Sequence, residues 1–197
     1  MYTFIVNPNA KTSLGYQVWS SLEAILKEKN VNYQVFFTKY QKHATRLAQK
    51  LTQESGAKTL IVLGGDGTIN EVINGIEDLD GTVLGYIPIG SSNDFARGMG
   101  LSTDPVQALK HILSPEHFTY INIGTAMYAG KTRRFAVSSG LGFDAGVCHQ
   151  VYVSKLKKLL NKLHLGKLSY AAVALQQILT MTPLKMTLTL DDNTPIE

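Results

Sequence analysis

The sequence predicts an α/β fold in which a parallel sheet is flanked by helices. Three observations carry this. Strand and helix signals alternate from residue 2 to about residue 113. The runs at 59–63 and 83–87 are short and unbroken apolar segments, as in strands covered on both faces. Polar turns follow both runs, at the carboxyl ends of strands, where open parallel sheets bind their ligands.

Each element has its own signal. Residues 2–6 are rich in β-formers and are stopped by Asn7-Pro8-Asn9. Leu14, Val18, Leu22, Ile25 and Leu26 then fall on one helical face. Residues 31–38 read as a second strand, and Ala44, Leu47, Ala48 and Leu51 give the next helix its apolar side. Strand 59–63 ends in Gly64-Gly65-Asp66-Gly67, after which Ile69, Val72 and Ile73 mark a helix over 68–75. Strand 83–87 leads into a polar turn at 90–94 and a short helix at 95–99. Pro105 suits the first turn of a helix whose apolar face is Val106, Leu109, Ile112 and Leu113.

Beyond residue 118 the pattern changes. Residues 120–126 and 133–138 read as a strand pair joined by Tyr128-Ala129-Gly130-Lys131. Residues 151–163 and 167–180 read as helices, 184–190 as a strand and 191–193 as a turn. That last strand has no evident partner, so further β structure is expected after it. The expected division is an α/β unit over 1–125 and the start of a second, β-rich unit over 126–197.

With 44% hydrophobic and 17% charged residues, 197 residues suffice for one sizeable core, and disorder is excluded. A net charge of +4 suits a phosphate-bearing ligand or an anionic surface without selecting either. The single cysteine, Cys148, excludes an intrachain disulfide and fits a reducing cytoplasm. Its small apolar neighbours predict a buried packing residue. The N-terminus lacks the features of a signal peptide, and no apolar run is long enough to span a bilayer. A cytoplasmic protein is expected, with any membrane contact peripheral and at the inner face.

Two turns carry the chemistry. In Gly64-Gly65-Asp66-Gly67-Thr68-Ile69-Asn70-Glu71, consecutive glycines let backbone amides approach phosphate oxygens, and the following helix offers its N-terminus to an anion. Asp66 would repel a bare phosphate, so its presence points to a divalent metal or an ordered water between them. The plainer alternative is a tight strand-to-helix turn with Asp66 as the helix cap. Asn70 and Glu71 lie one helical turn on, facing solvent or orienting the loop. In Gly90-Ser91-Ser92-Asn93-Asp94-Phe95-Ala96-Arg97, four polar side chains share one turn; Asn93 or Asp94 as a helix N-cap is again the plainer alternative. Arg97 pairs with an acid or contacts a phosphate.

These two motifs together resemble the catalytic domain of the diacylglycerol kinase family, which includes bacterial lipid kinases, sphingosine kinases and ceramide kinases. Ile5-Val6-Asn7-Pro8, Thr38 with His43-Ala44 and Leu47-Ala48, and Ser139-Gly140-Leu141-Gly142-Phe143-Asp144-Ala145 are similar to further segments of that family, in order. The resemblance implies a nucleotide-binding domain like those of 6-phosphofructokinase and NAD kinase, followed by the start of a truncated β-sandwich domain. It implies ATP and Mg²⁺ as cofactors and a lipid hydroxyl as acceptor, most simply diacylglycerol yielding phosphatidic acid. Asn7, Pro8, Asn9, Ala10 and Lys11 would lie near the nucleotide, and Thr38 would touch phosphate. Gly64, Gly65, Asp66, Gly67, Thr68, Ile69, Asn70 and Glu71 would form the phosphate loop and its helix. Ser91, Asn93 and Asp94 would contact ATP, with Asp66 and Asp94 organising the metal. The general base is expected in the second domain, so no catalytic residue is assigned here, and residues 1–197 alone are expected to transfer phosphate poorly.

The sequence departs from the family pattern at three places. Lys11 stands where Asn-Pro-x-x-Gly would put glycine, and the next glycine is Gly15. Ser91 replaces the commoner threonine. Asn122 stands where many bacterial members carry an acid. Lys155, Lys157, Lys158, Lys162 and Lys167 surround Leu156, Leu159, Leu160 and Leu163, spaced as a basic amphipathic helix. Such a helix either lies on an anionic membrane or packs its leucines on the protein. No nucleic-acid platform accompanies it, and a homodimer is left open. Two further readings are a soluble-substrate kinase of the NAD kinase type and a non-catalytic nucleotide-binding regulatory module.

Overall fold

The computed structural model describes residues 1–53, 58–143, 145–148, 175, 178–180, 187–189, 191 and 195–196. The chain divides into two units, Met1–Ser138 and Ser139–Glu197.

In the first unit, β1 (Tyr2–Val6), β2 (Tyr33–Phe37), β3 (Lys58–Gly64) and β4 (Thr82–Pro88) form an all-parallel sheet in the order β2-β1-β3-β4. The chain steps from β1 to β2 on one side, then returns to β3 on the other. The strand order therefore reverses between β1 and β3, which is where a sheet of this kind opens a ligand crevice. The helices are α1 (Ala10–Ser13), α2 (Gly15–Glu28), α3 (His43–Thr52), α4 (Asp66–Gly75), α5 (Asp94–Gly98) and α6 (Pro105–Leu113).

Period-2 alternation along the strands feeds two buried layers. Phe4, Val6, Ile61, Leu63 and Ile87 pack with Trp19, Leu22 and Leu26 of α2 and Leu109 of α6. Ile5, Leu60, Val62 and Tyr86 pack with Ala44 and Ala48 of α3, Ile69, Val72 and Ile73 of α4, and Phe95 of α5. The predicted sheet flanked by helices is thus present. Asp104 caps α6 by accepting from Gln107 N at 2.8 Å, with Pro105 in the first turn as expected.

Three expected boundaries change. Strand β2 starts at Tyr33 rather than 31, because Val31 N donates to Leu26 O and finishes α2. Helix α4 starts at Asp66 rather than 68, because Thr68 N and Ile69 N both donate to Gly65 O and close the first turn early. The hairpin consists of β5 (Gly124–Tyr128) and β6 (Lys131–Phe135), antiparallel, rather than 120–126 and 133–138. Ala129 and Gly130 both take positive φ, 45° and 71°, which a two-residue hairpin loop matched to strand twist requires. Residues 120–123 instead lay Ile121 and Ile123 on the α3–α4 layer.

In the second unit, residues 143 and 145–148 are helical, and β7 (Leu188–Thr189) pairs antiparallel with β8 (Pro195–Ile196). The strand expected to lack a partner therefore has one. Cys148 is exposed rather than buried, since its neighbour Val147 takes the buried position of that turn. The basic helix around Lys155–Lys167 lies outside the described residues, as do Asp144 and most of the helix expected at 167–180. Among the described residues no helix is long and apolar enough to cross a membrane.

Candidate functional site

An open cleft of about 480 Å³ lies at the carboxyl ends of the parallel strands. Its volume is in the range typical of small-molecule sites. All four strand ends contribute to it.

The floor is made by the tips of β3 and β4. Ile89 N donates to Gly64 O at 2.9 Å and carries the ladder past the strand ends. Gly65 and Gly90 then meet backbone to backbone. A Cβ on Gly90 would stand 2.8 Å from Gly65 Cα, and one on Gly65 would stand 3.1 Å from Gly90 Cα. Side chains lock this contact from below. Asn93, at φ 53°, turns its Oδ1 back to accept from Gly90 N at 2.7 Å. Asp66 Oδ1 accepts from Phe95 N at 3.1 Å, so it caps α5 across the site rather than its own helix α4. Tyr86, buried beneath, donates its hydroxyl to Gly64 O at 3.2 Å and meets Phe95 edge-to-face. Burial above all, and then the Asp66 carboxylate, hold the Tyr86 phenol well above its ordinary range.

The β1 tip adds a second wall. Asn7 Nδ2 donates to Thr68 Oγ1 at 3.0 Å, and Asn7 Oδ1 accepts from Asn9 N at 3.1 Å. Gly15 opens α2 directly against this turn, and its missing Cβ would fall 2.0 Å from Asn7 O. Between them the chain bends through Lys11 and Ser13 at φ 46° and 73°. The β2 tip forms the rim. Thr38 N donates to Val6 O, and Tyr40 stacks on His43 with centroids 4.6 Å apart. His43 Nδ1 accepts from Lys39 N, Arg46 reaches the Tyr40 hydroxyl, and Glu71 Oε1 accepts from Lys42 N at 2.9 Å.

The cleft brings together Asn7, Asn9, Ala10 and Lys11 from the first turn, Thr38 from the second, Gly65, Gly67, Thr68 and Glu71 from the third, and Ser91 from the fourth. Other sequence-predicted residues stand behind its surface. Pro8 O accepts from Tyr16 N, Gly64 ends the β3 ladder, and Ile69 is buried against α3. Asn70 accepts from Asn74, and Asn93 and Asp66 brace the floor. Asp94 is half-exposed and paired with Arg97. Lys39, Tyr40, Gln41 and Gly90 also line the cleft and went unassigned from sequence. The loop after β2 carries no glycine motif; only its position after a strand could have marked it.

Chemically the cleft suits an anion. The amides of Asp66 and Gly67 open α4 without an intrahelical acceptor, and the helix dipole adds positive potential there. Lys11 and Lys39 line the cleft, and neither ammonium joins an ion pair among the described residues. Nor do the described residues include a cluster of three or more His, Cys, Asp or Glu side chains. A divalent cation here would draw most of its ligands from phosphate and water, as Mg²⁺ does in nucleotide sites. Asp66 keeps Oδ2 for such a role.

A family model described as the diacylglycerol kinase catalytic domain matches residues 1–126. A Bacillus subtilis strain 168 protein named as a lipid kinase, YtlR, is 34% identical over 197 residues, covering 97% of the chain and 63% of that protein. A Staphylococcus epidermidis RP62A protein named diacylglycerol kinase is 30% identical over 192 residues, covering 96% of the chain and 56% of that protein. A crystal structure from Bacillus anthracis strain Sterne, titled as a diacylglycerol kinase, aligns with a TM-score of 0.63 and 26% identity over 92% of the chain and 55% of that structure. The chain thus spans between about half and two thirds of the length of these proteins.

Proposed function

The chain belongs to the family of diacylglycerol kinase catalytic domains, and from that premise we propose that it works in the transfer of the ATP γ-phosphoryl group to a lipid hydroxyl, with diacylglycerol as acceptor and phosphatidic acid as product. The observation that carries this reading is the glycine-to-glycine contact between the β3 and β4 tips, beside a helix N-terminus and two lysines that join no ion pair among the described residues. Phosphoryl transfer demands positioning and charge neutralisation more than covalent chemistry, and the cleft offers those two things.

In this reading the amides at Gly65 and Gly67 and the N-terminal turn of α4 receive the phosphates. Lys11 and Lys39 neutralise their charge from the rim, with Thr38 and Ser91 offering hydroxyls on either side. Asn7 fixes the Thr68 hydroxyl, which ties the β1 turn to the start of α4. Asp66, held by Phe95 N, would reach Mg²⁺ or its waters through Oδ2, and Asp94 would join it on leaving Arg97. The cation, when bound, would supply charge neutralisation to the transferring phosphoryl group. No residue of the cleft is assigned the proton of the acceptor hydroxyl.

The test is a labelled-ATP transfer assay with the polypeptide extended to the length of its relatives. The acceptor panel comprises diacylglycerol, sphingosine, ceramide, NAD and fructose 6-phosphate. Label in phosphatidic acid is the expected result. Label in NAD or the sugar would transfer the site to a soluble-substrate kinase. Calorimetric binding of Mg-ATP with no labelled product from any acceptor would make it a regulatory module.

A further inference from the structure

Helix α4 presents its N-terminal turn to the cleft, and its opposite end is held by one residue of the hairpin. Asn74 Nδ2 donates to Arg134 O at 2.8 Å while Asn74 Oδ1 accepts from Arg134 N at 2.9 Å. The carboxamide thus pairs with the hairpin backbone as a neighbouring strand residue would. The same Nδ2 also reaches Asn70 O at 2.8 Å and Asn70 Oδ1 at 3.2 Å, linking the pairing to the previous helical turn. Arg134 completes the joint: its Nη1 donates to Ile73 O at 3.1 Å and Ile76 O at 2.5 Å, among the carbonyls that a helix C-terminus leaves without partners. A guanidinium there also complements the negative end of the helix dipole.

We propose that Asn74 and Arg134 are positioning residues that set the phosphate end of α4 from its far end, making the hairpin a handle on nucleotide affinity. The proposal rests on the phosphate role given above to the N-terminus of α4. The physical reason is stiffness. Ten hydrogen-bonded residues form a rod about 15 Å long, which tilts or slides as a unit. Its cleft end is held by Thr68 against Asn7 and its middle by Thr45 Oγ1, which donates to Glu71 O. Its far end is held by the Arg134 joint together with α3, where Gly75 sits against Thr45 O and Glu77 N donates to Thr52 Oγ1 at 2.9 Å. Releasing that joint lets the rod rock about the Glu71 contact, displacing the amides at Gly67 and Thr68.

The test compares Arg134→Met, Arg134→Lys and Asn74→Asp with wild type, in the polypeptide extended to the length of its relatives and well below its melting transition. Amide hydrogen exchange is read at Thr68 and Ile69, next to the cleft, and at Ile73 and Ile76, next to Arg134. Arg134→Met is expected to speed exchange at Thr68 and Ile69 about tenfold and to raise the KM for Mg-ATP about tenfold, with the acceptor KM unchanged. Arg134→Lys restores about half of each effect, since an ammonium still reaches one carbonyl. Asn74→Asp, which keeps the acceptor for Arg134 N but loses the donations to Arg134 O and to Asn70, falls between. Faster exchange confined to Ile73 and Ile76, with the nucleotide KM unmoved, overturns the proposal. If wild type binds no nucleotide, the functional reading fails, and exchange at Thr68 and Ile69 still decides for or against the strut.

Discussion

The two halves of the cleft are built on opposite principles. At the β3 and β4 tips, glycines meet where no side chain fits, and Asn93, Asp66 and Tyr86 hold them from outside the cavity. At the β1 and β2 tips the chain takes left-handed turns with residues that resist them, Lys11 at φ 46°, Ser13 at 73° and Lys42 at 67°. A residue with a Cβ loses about 1–2 kcal/mol in that conformation, which glycine does not. The floor is braced by hydrogen bonds, and its one left-handed residue with a side chain, Asn93 at φ 53°, is of a type that tolerates that conformation. The rim carries strain, and with it two cationic side chains over the cavity. The contrast teaches that this site obtains the shape of its floor from residues lacking side chains, and part of its charge, at Lys11, from a residue in a costly conformation.

Substitutions at four positions would break or sharpen this contrast. The largest effect is expected from Gly90→Ala, whose methyl would meet Gly65 Cα and Asn93 Oδ1 at 2.8 Å. Overpacking of this kind costs about 1–3 kcal/mol, seen in urea melts, and calorimetric ATP affinity should fall at least tenfold. Unchanged binding would mean that the floor is softer than described. Next comes Asp66, where structure and charge can be separated. Asp66→Asn keeps an acceptor for Phe95 N and should melt within about 0.5 kcal/mol of wild type, yet bind Mg-ATP about tenfold more weakly, or about 1.4 kcal/mol. Asp66→Ala should in addition lose about 1 kcal/mol of stability with the α5 cap.

Lys11→Gly tests the rim and should give effects of opposite sign. Relief of the left-handed turn stabilises the fold by about 1 kcal/mol, while loss of the ammonium weakens ATP binding. Loss of stability, or ATP affinity equal to wild type, would count against the rim as described.

Tyr86→Phe is the smallest, removing one hydrogen bond worth about 0.5–1.5 kcal/mol. It also carries a pH signature. The Tyr86 phenol is raised in the fold, so the unfolded chain ionises first. Its contribution is full below about pH 10, the free phenol's value, and drains as pH climbs toward the raised one. Denaturation titrations above pH 9 should show a flatter loss in Tyr86→Phe than in wild type.

The floor was legible in the sequence because close approach leaves a local mark. Gly64-Gly65-Asp66-Gly67 and Gly90-Ser91-Ser92-Asn93-Asp94 announce turns that need missing side chains and Asx acceptors. What those acceptors hold was not legible, since Asp66 acts on Phe95, 29 positions away. The rim was half legible. Lys11 was visible as a departure from a glycine pattern, and the structure supplies the left-handed φ that the pattern would serve. Lys39, Tyr40 and Gln41 left no mark, because they are brought to the cleft by the reversal of strand order and not by any motif. The hairpin turn at Ala129-Gly130 was legible, while its strand ends were two to four residues out of place, since Ile121 and Ile123 read as strand but pack on the α3–α4 layer.

The glycine contact at the floor bears on how the sheet aligns as it forms. Strand β3 sends Ile61 and Leu63 to one buried layer and Leu60 and Val62 to the other. Sliding it by one residue exchanges the layers but leaves apolar side chains in both, so burial distinguishes such arrangements weakly. With Gly64 opposite Pro88 and Gly65 against Gly90, a shift would press Ile89 or Ser91 into a gap that admits no Cβ. The atoms that make room for a phosphate thus also serve as alignment pins, choosing one sheet among near-equivalent ones.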